Sequence, residues 1–204
     1  MPLHAAAMTC PACQNPDSTV YGRHKDWILR DCRGCGLIYI DPLPGPVLLD
    51  FMYRDTYEGA TSSYFTKVRL KMRRGRQRMA LLSRRVAKGR LLDVGCNGGF
   101  MAEAARERGF ESWGIDVDPV SIRYAQETFT GCRFEAEPLG DFLKRPEAGR
   151  FDLIYCSEVI EHIPAVDAFM GQLAAALAPG GHLFLTTPDI GHWRRPSKIG
   201  RAHV

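Results

Sequence analysis

The chain has 204 residues, 45% hydrophobic and 25% charged, the balance of a soluble globular protein with room for one core and a small appendage. No stretch approaches the ~18 apolar residues of a membrane-spanning helix and residues 1–8 lack a basic, apolar leader, so the sequence reads as cytoplasmic with no membrane span; an odd total of seven cysteines argues against a disulfide framework. The net charge of +4 hides an asymmetry: eleven Lys or Arg and no acid lie between Glu58 and Asp93, and removing them from the 27 basic residues leaves 16 against 23 acids, a net −7 elsewhere.

Cys10-Pro-Ala-Cys13 and Cys32-Arg-Gly-Cys35 stand eighteen residues apart, the spacing of a structural zinc site in which two tight turns present four thiolates to one tetrahedral ion. Val20-Tyr21, Trp27-Ile28-Leu29 and Gly36 to Ile40 read as the strands of a zinc-ribbon over residues 1–40. Two unrelated reduced pairs, or a redox dithiol, are the competing reading. His24 is read as a solvated loop residue, because four thiolates already fill the tetrahedron. Three prolines between Pro42 and Pro46 end the ribbon. Residues 41–89 then form a linker and a basic helix. A short helix over 47–53 and the aromatics Tyr53, Tyr57 and Tyr64 come first, then a long helix from Tyr64 to Lys88 with apolar residues at 65, 68, 72, 79, 82 and 86 and Gly75 as a weak point. Such a helix could grip the phosphates of RNA or of a nucleotide-bearing substrate. No aromatic interleaving accompanies the charge, so a solvated face near a ligand site is the preferred reading.

Leu91 to Phe100 reads as strand, glycine turn and helix, a turn where backbone approaches a ligand with no Cβ in the way. The dinucleotide fingerprint G-x-G-x-x-G would need glycines where Asn97 and Phe100 stand, which sets a nicotinamide dehydrogenase aside. Asp93-Val94-Gly95-Cys96-Asn97-Gly98-Gly99 instead resembles the first motif, D-x-G-x-G-x-G, of the class I S-adenosylmethionine-dependent methyltransferases. Asn97 replaces the central glycine, and asparagine tolerates positive φ better than other residues with a side chain. The C-x-x-C-G-L-x-Y and D-P-x-P segments with paired aromatics ahead of it resemble bacterial methyltransferases that carry a leading zinc knuckle, so the resemblance runs from about Cys10 to Pro188.

The resemblance implies an α/β, doubly wound, Rossmann-like sheet over residues 90–188. Glu111 to Ile115 is its second strand, and Asp116 at the carboxyl end, twenty-one residues past Gly95, is placed to accept hydrogen bonds from the cofactor ribose. Asp118, before Pro119, is read as the N-cap of helix 120–129. Arg133 to Glu135 is strand three. Glu137-Pro138-Leu139 stands where the family often has G-D or G-T, so a backbone or apolar adenine contact is expected at Leu139. Phe151 to Cys156 is strand four, and Ser157-Glu158-Val159-Ile160-Glu161-His162 resembles the E-V-L/I-E-H segment of enzymes methylating oxygen or carbon of small molecules; the N-P-P-Y signature of base and glutamine methylases is absent. The implied cofactor set is Asp93, Gly95, Cys96, Asn97, Gly98, Asp116, Val117, Leu139, Cys156 and Ser157, with Cys156 to Glu158 lining the methyl end.

On a helix Glu158, Glu161 and His162 would share a face. Three readings stay open: His162 as general base with Glu158 beside it, the triplet as ligands of a divalent ion as in some quinone and RNA-end methyltransferases of this group, or acids complementing a helix dipole while His162 packs. Helix 165–177 leads through a P-G-G turn to a fifth strand, His182 to Thr187. The family fold has seven strands, so the chain is expected to be C-terminally truncated, leaving strand five as an aggregation-prone edge. Residues 189–204 are set apart as a tail, because Lys198 to Val204 reads like one frame of a sequencing-library adapter. The expected activity is methyl transfer from S-adenosylmethionine to oxygen or carbon of a small molecule, sugar or quinone. An rRNA or tRNA methyltransferase and a non-catalytic zinc adaptor are the rivals.

Overall fold

The computed structural model describes residues 8–24, 27–43 and 67–189; the expected helix over 47–53, the tyrosines at 53, 57 and 64 and the tail from 190 lie outside them. Three strands come first: β1 (Ser18–His24), β2 (Trp27–Cys32) and β3 (Ile38–Asp41). They form an antiparallel sheet in the order β1-β2-β3, with Ser18 opposite Cys32 and Leu29 opposite Ile40. His24 ends β1 and is not in a loop. The module is too small for a large apolar core. Its buried hydrophobic residues, among those described, are Cys10, Cys32 and Tyr39, and the Tyr39 hydroxyl donates to the Met8 carbonyl at 2.9 Å.

Helix α1 (Val68–Leu82) is shorter than the periodicity predicts. It stops because the Ser83 hydroxyl donates back to the Met79 carbonyl at 2.5 Å and Arg84 N–H bonds Leu81 O, which tightens the last turn. Gly75 is not a weak point. It is buried, and a Cβ there would stand 3.0 Å from the Phe100 carbonyl oxygen and 3.2 Å from Ala104 Cβ, so the glycine lets α1 lie directly on α2 (Phe100–Arg106).

The remaining elements are β4 (Arg90–Val94), β5 (Glu111–Asp116), α3 (Pro119–Thr128), β6 (Arg133–Ala136), α4 (Leu139–Phe142), β7 (Phe151–Ser157), a 3₁₀ turn at Ile160–His162, α5 (Val166–Ala176) and β8 (Leu177–Thr186). The strands build one parallel sheet in the order β6-β5-β4-β7-β8. The chain enters at the central strand, winds outward to β6, then returns to β7 on the other side. This reversal opens a crevice at the carboxyl ends of β4 and β7, where ligands of such sheets bind. The short apolar runs of β4 and β7 are buried on both faces, as parallel strands covered by helices must be. Leu92 and Val94 pack with Phe142, Phe169 and Leu173 on one side; Leu91 packs with Met79, Met101 and Ala105 on the other.

Leu139 opens the one-turn α4. One expectation about the last strand changes. The Ala178-Pro179-Gly180-Gly181 segment is no simple turn before the fifth strand: β8 begins at Leu177, opposite Phe151, and five residues advance on β8 while β7 advances two, so the segment bulges out of the ladder with Gly180 at φ +76°.

Candidate functional site

The four cysteine sulfurs gather first. Cys10 and Cys35 Sγ are 3.7 Å apart, Cys13 and Cys32 Sγ 3.5 Å, and all four lie within 4.8 Å of one another. Thiolates around a tetrahedral zinc, with bonds of about 2.3 Å, stand about 3.8 Å apart, so the set fits a zinc-ribbon. Each turn is built for this: Gln14 N–H bonds Cys10 O, Gly36 N–H bonds Cys32 O, and Gly36 takes φ +73°. Burial raises the pKa of the Cys32 thiol, but the N–H groups of Cys35 and Gly34 and the neighbouring thiols outweigh it and bring the thiol down to about 7.

The glycine turn closes the central strand. Gly95 and Cys96 N–H both bond the Ile115 carbonyl, at 2.8 and 3.0 Å. Gly95 stands at φ +73°, Asn97 at +47° and Gly99 at +77°; Asn97 therefore adopts the left-handed conformation that its substitution for glycine requires. The Asn97 side-chain oxygen accepts from Gly98 N–H, and its backbone N–H donates to Asp116 Oδ2, both at 2.8 Å. Asp116 thus lies beside the turn at the end of β5, only 9% exposed. Burial pushes its carboxyl pKa up against the Asp118 and Asn97 N–H groups that pull it down. Asp118 caps α3, accepting from Val120 and Ser121 N–H. Val117, between the two acids, is 54% exposed.

Asp93 lies one strand in, 3% exposed. Burial, then the charge of Asp116, raises its carboxyl to about 8 against the Ala102 N–H and the charge of Arg78. The sequence reading placed Arg78 in a solvated run, but its guanidinium donates to the Tyr155 hydroxyl at 2.5 Å. Lys71, one heptad earlier, sits 5.2 Å above the Phe100 ring, with burial lowering it to about 8. The signal available was their spacing: Lys71 and Arg78 flank Met72 and Met79, the apolar pair that packs inward.

The segment after β7 is not a helix. Glu158 takes φ +59°, a conformation uncommon for a residue with a side chain, and the chain turns through Ile160–His162. The shared helical face expected for Glu158, Glu161 and His162 therefore does not form. Among the described residues only the four cysteines bring three or more metal-ligating atoms within 4.8 Å. Glu158 N–H donates to the Thr186 carbonyl at 2.9 Å, the Ser157 and Thr186 hydroxyls are 2.6 Å apart, and the Thr187 hydroxyl donates to Glu161 at 3.2 Å. Val159 brings this segment over the glycine turn: a Cβ on residue 95 would stand 2.3 Å from Val159 Cγ2. Cys96, Leu139 and Cys156 point into the core, 6%, 3% and 0% exposed, so they offer a ligand backbone only. Burial pushes the Cys156 thiol up to about 12.

A parallel sheet with this strand order, a glycine turn after its first strand and an acid at the end of its second define a Rossmann-like, class I S-adenosylmethionine-dependent methyltransferase. Residues 64–202 match the family described as "Methyltransferase domain". The chain belongs to that family. It is 34% identical over 102 residues to the ubiquinone biosynthesis O-methyltransferase of Bordetella avium (strain 197N), covering 48% of this chain and 42% of that one. To the protein of the same name from Xanthomonas axonopodis pv. citri (strain 306) it is 35% identical over 105 residues, covering 50% and 44%. The chain thus spans about half the length of the curated relatives it matches. Among solved structures, the plantazolicin methyltransferase BpumL, determined with a monoazolic desmethylPZN analogue and S-adenosylhomocysteine, shares the fold with a TM-score of 0.55 at 17% identity, over 68% of this chain and 56% of that one. No helix among the described residues is long and apolar enough to cross a membrane.

Proposed function

We propose that this chain carries the cofactor-binding half of an enzyme that methylates a ring hydroxyl of a small aromatic, quinone-type acceptor in the cytoplasm, with structural zinc in the ribbon. One observation carries the cofactor assignment: the Asp116 carboxylate lies 2.8 Å from the Asn97 N–H of the glycine turn. There it accepts hydrogen bonds from a ribose diol while Gly95 makes the tight turn and Gly98 lets the backbone close on the ligand. The residues present fit the cofactor. Exposed Val117 offers an apolar surface to an adenine ring, Leu139 offers backbone, and Asp93 holds a buried carboxyl at the end of β4. The relatives' printed role in ubiquinone biosynthesis supports an oxygen acceptor.

When bound, S-adenosylmethionine supplies an electrophilic methyl on a cationic sulfur. The work left to the chain is to hold an acceptor oxygen in line at about 3 Å and to take its proton. His162, half-buried in the turn that follows Val159, is the base in this reading. Ser157 and Glu158, tied to the end of β8, shape the methyl end. With such a methyl donor held at the glycine turn, His162 would take the proton of the acceptor hydroxyl as that oxygen is methylated, and Ser157 and Glu158 would keep the two in line.

Calorimetry with S-adenosylhomocysteine tests the cofactor assignment. The folded chain should bind it, and Asp116→Ala should weaken binding at least about a hundredfold, as loss of a buried charged hydrogen-bond acceptor does. A folded chain that gives no heat would favour the zinc-adaptor reading instead.

A further inference from the structure

Helix α1 has a second face that the cofactor site does not use. Met72, Gly75 and Met79 are buried; on the opposite side, at helical spacing, stand Leu70, Arg73, Arg74, Gln77 and Leu81, all exposed. Leu70 is 40% exposed and Leu81 58%, and they lie about 16 Å apart along the axis, three turns of helix. Arg84, Arg85 and Lys88 follow in the exposed segment that leaves the helix.

Part of the cationic run has local partners. Arg76 pairs with Glu107 at 2.6 Å and Arg78 donates to Tyr155. Arg73, Arg74, Arg84, Arg85 and Lys88 have no acidic partner among the described residues. A surface with two uncompensated arginines between two exposed leucines, and three more cations in the segment that follows, has a specific complement: negative charge arrayed above an apolar layer. Headgroups take the arginines and the outer acyl region takes the leucines. Single-stranded RNA would satisfy the arginines but not the leucines, and residues 67–88 contain no aromatic on which a base could stack.

We propose that the outer face of α1, with the cationic segment after it, docks this protein peripherally on an anionic lipid bilayer. The proposal rests on this face alone and is independent of the acceptor assignment. It is tested by flotation of the whole chain with vesicles of phosphatidylcholine, vesicles of phosphatidylcholine and phosphatidylglycerol at 7:3, and a fluorescent single-stranded RNA, at low and at physiological salt. The chain should float with the anionic vesicles only, and added salt should weaken the association. Arg73→Ala with Arg74→Ala should weaken binding about thirtyfold, each cation near such a surface being worth about fivefold. Leu81→Ser should weaken it about tenfold, and neither variant should change S-adenosylhomocysteine affinity or the melting temperature, since both sites are exposed. Equal binding to neutral vesicles, retention by the arginine variant, indifference to Leu81→Ser, or tighter binding to RNA than to anionic vesicles would each overturn the proposal.

Discussion

Asp93 holds a carboxyl group where water hardly reaches, and its pKa of about 8 sets a sign. In the unfolded chain the same group ionises near pH 4. Between those values the folded state binds a proton the unfolded state has lost, so this residue makes stability fall as pH rises from about 4 to about 8, and level off above. Asp93→Asn, similar in shape and always neutral, should flatten that decline in thermal melts from pH 5 to 8 while weakening S-adenosylhomocysteine binding; an unchanged pH slope would contradict the burial argument. Gly95 is constrained twice, by φ +73° and by Val159 Cγ2 at 2.3 Å from any added Cβ. Gly95→Ala should therefore cost about 1–3 kcal/mol in a denaturant titration. His162→Gln should leave stability and cofactor affinity intact while lowering kcat of the full-length enzyme about 10²-fold or more, with loss of the acidic-limb pH dependence. Residue types told much of this in advance. An asparagine in place of a turn glycine announced positive φ, and an acid twenty-one residues past Gly95 announced a carboxylate beside the glycine turn. Arg78 and Tyr155 were hidden, because their contact joins residues 77 positions apart in sequence.

At the level of elements, strands were the most legible, since uninterrupted apolar runs such as Phe151 to Cys156 have no stable place except between two helical layers. Ends and loops were less so. The stop of α1 depends on a serine hydroxyl turning back on its own helix, which competes closely with continued helix. The Glu158 to His162 segment carries helical spacing yet is drawn out of a helix because Glu158 N–H pairs with Thr186 on β8, a tertiary bond overriding local preference. The α1–α2 contact gives a direct test. Gly75→Val should destabilise the protein by about 2 kcal/mol or more, because the obstruction at 3.0 Å is the backbone carbonyl of Phe100, which begins the helix after the glycine turn. A melt equal to the parent would mean that α1 can lift away without loss.

Across the whole molecule, two cores of different kinds sit in one chain. The ribbon has few buried side chains beside its four gathered cysteines, whereas the parallel sheet has three apolar clusters of its own. Between them Gln14 donates a side-chain hydrogen bond to Asp167 at 3.2 Å, beside a cleft of about 350 Å³ lined by Met8, Pro11, Leu43 and Val166. Chelation, or Cys32→Ser, should therefore abolish a separate low-temperature transition in calorimetry and leave the main one within a few degrees of its original position. Collapse of both transitions together would show that the ribbon is structurally required by the sheet.

The uneven placing of charge has a laboratory consequence. Eleven cations crowd residues 67–90 while the rest of the chain is net −7, so the molecule carries a large permanent dipole. A chromatographic resin meets the patch that suits it, not the average. The protein should elute from a sulfonate column at higher ionic strength than a chain of this size with an evenly spread +4.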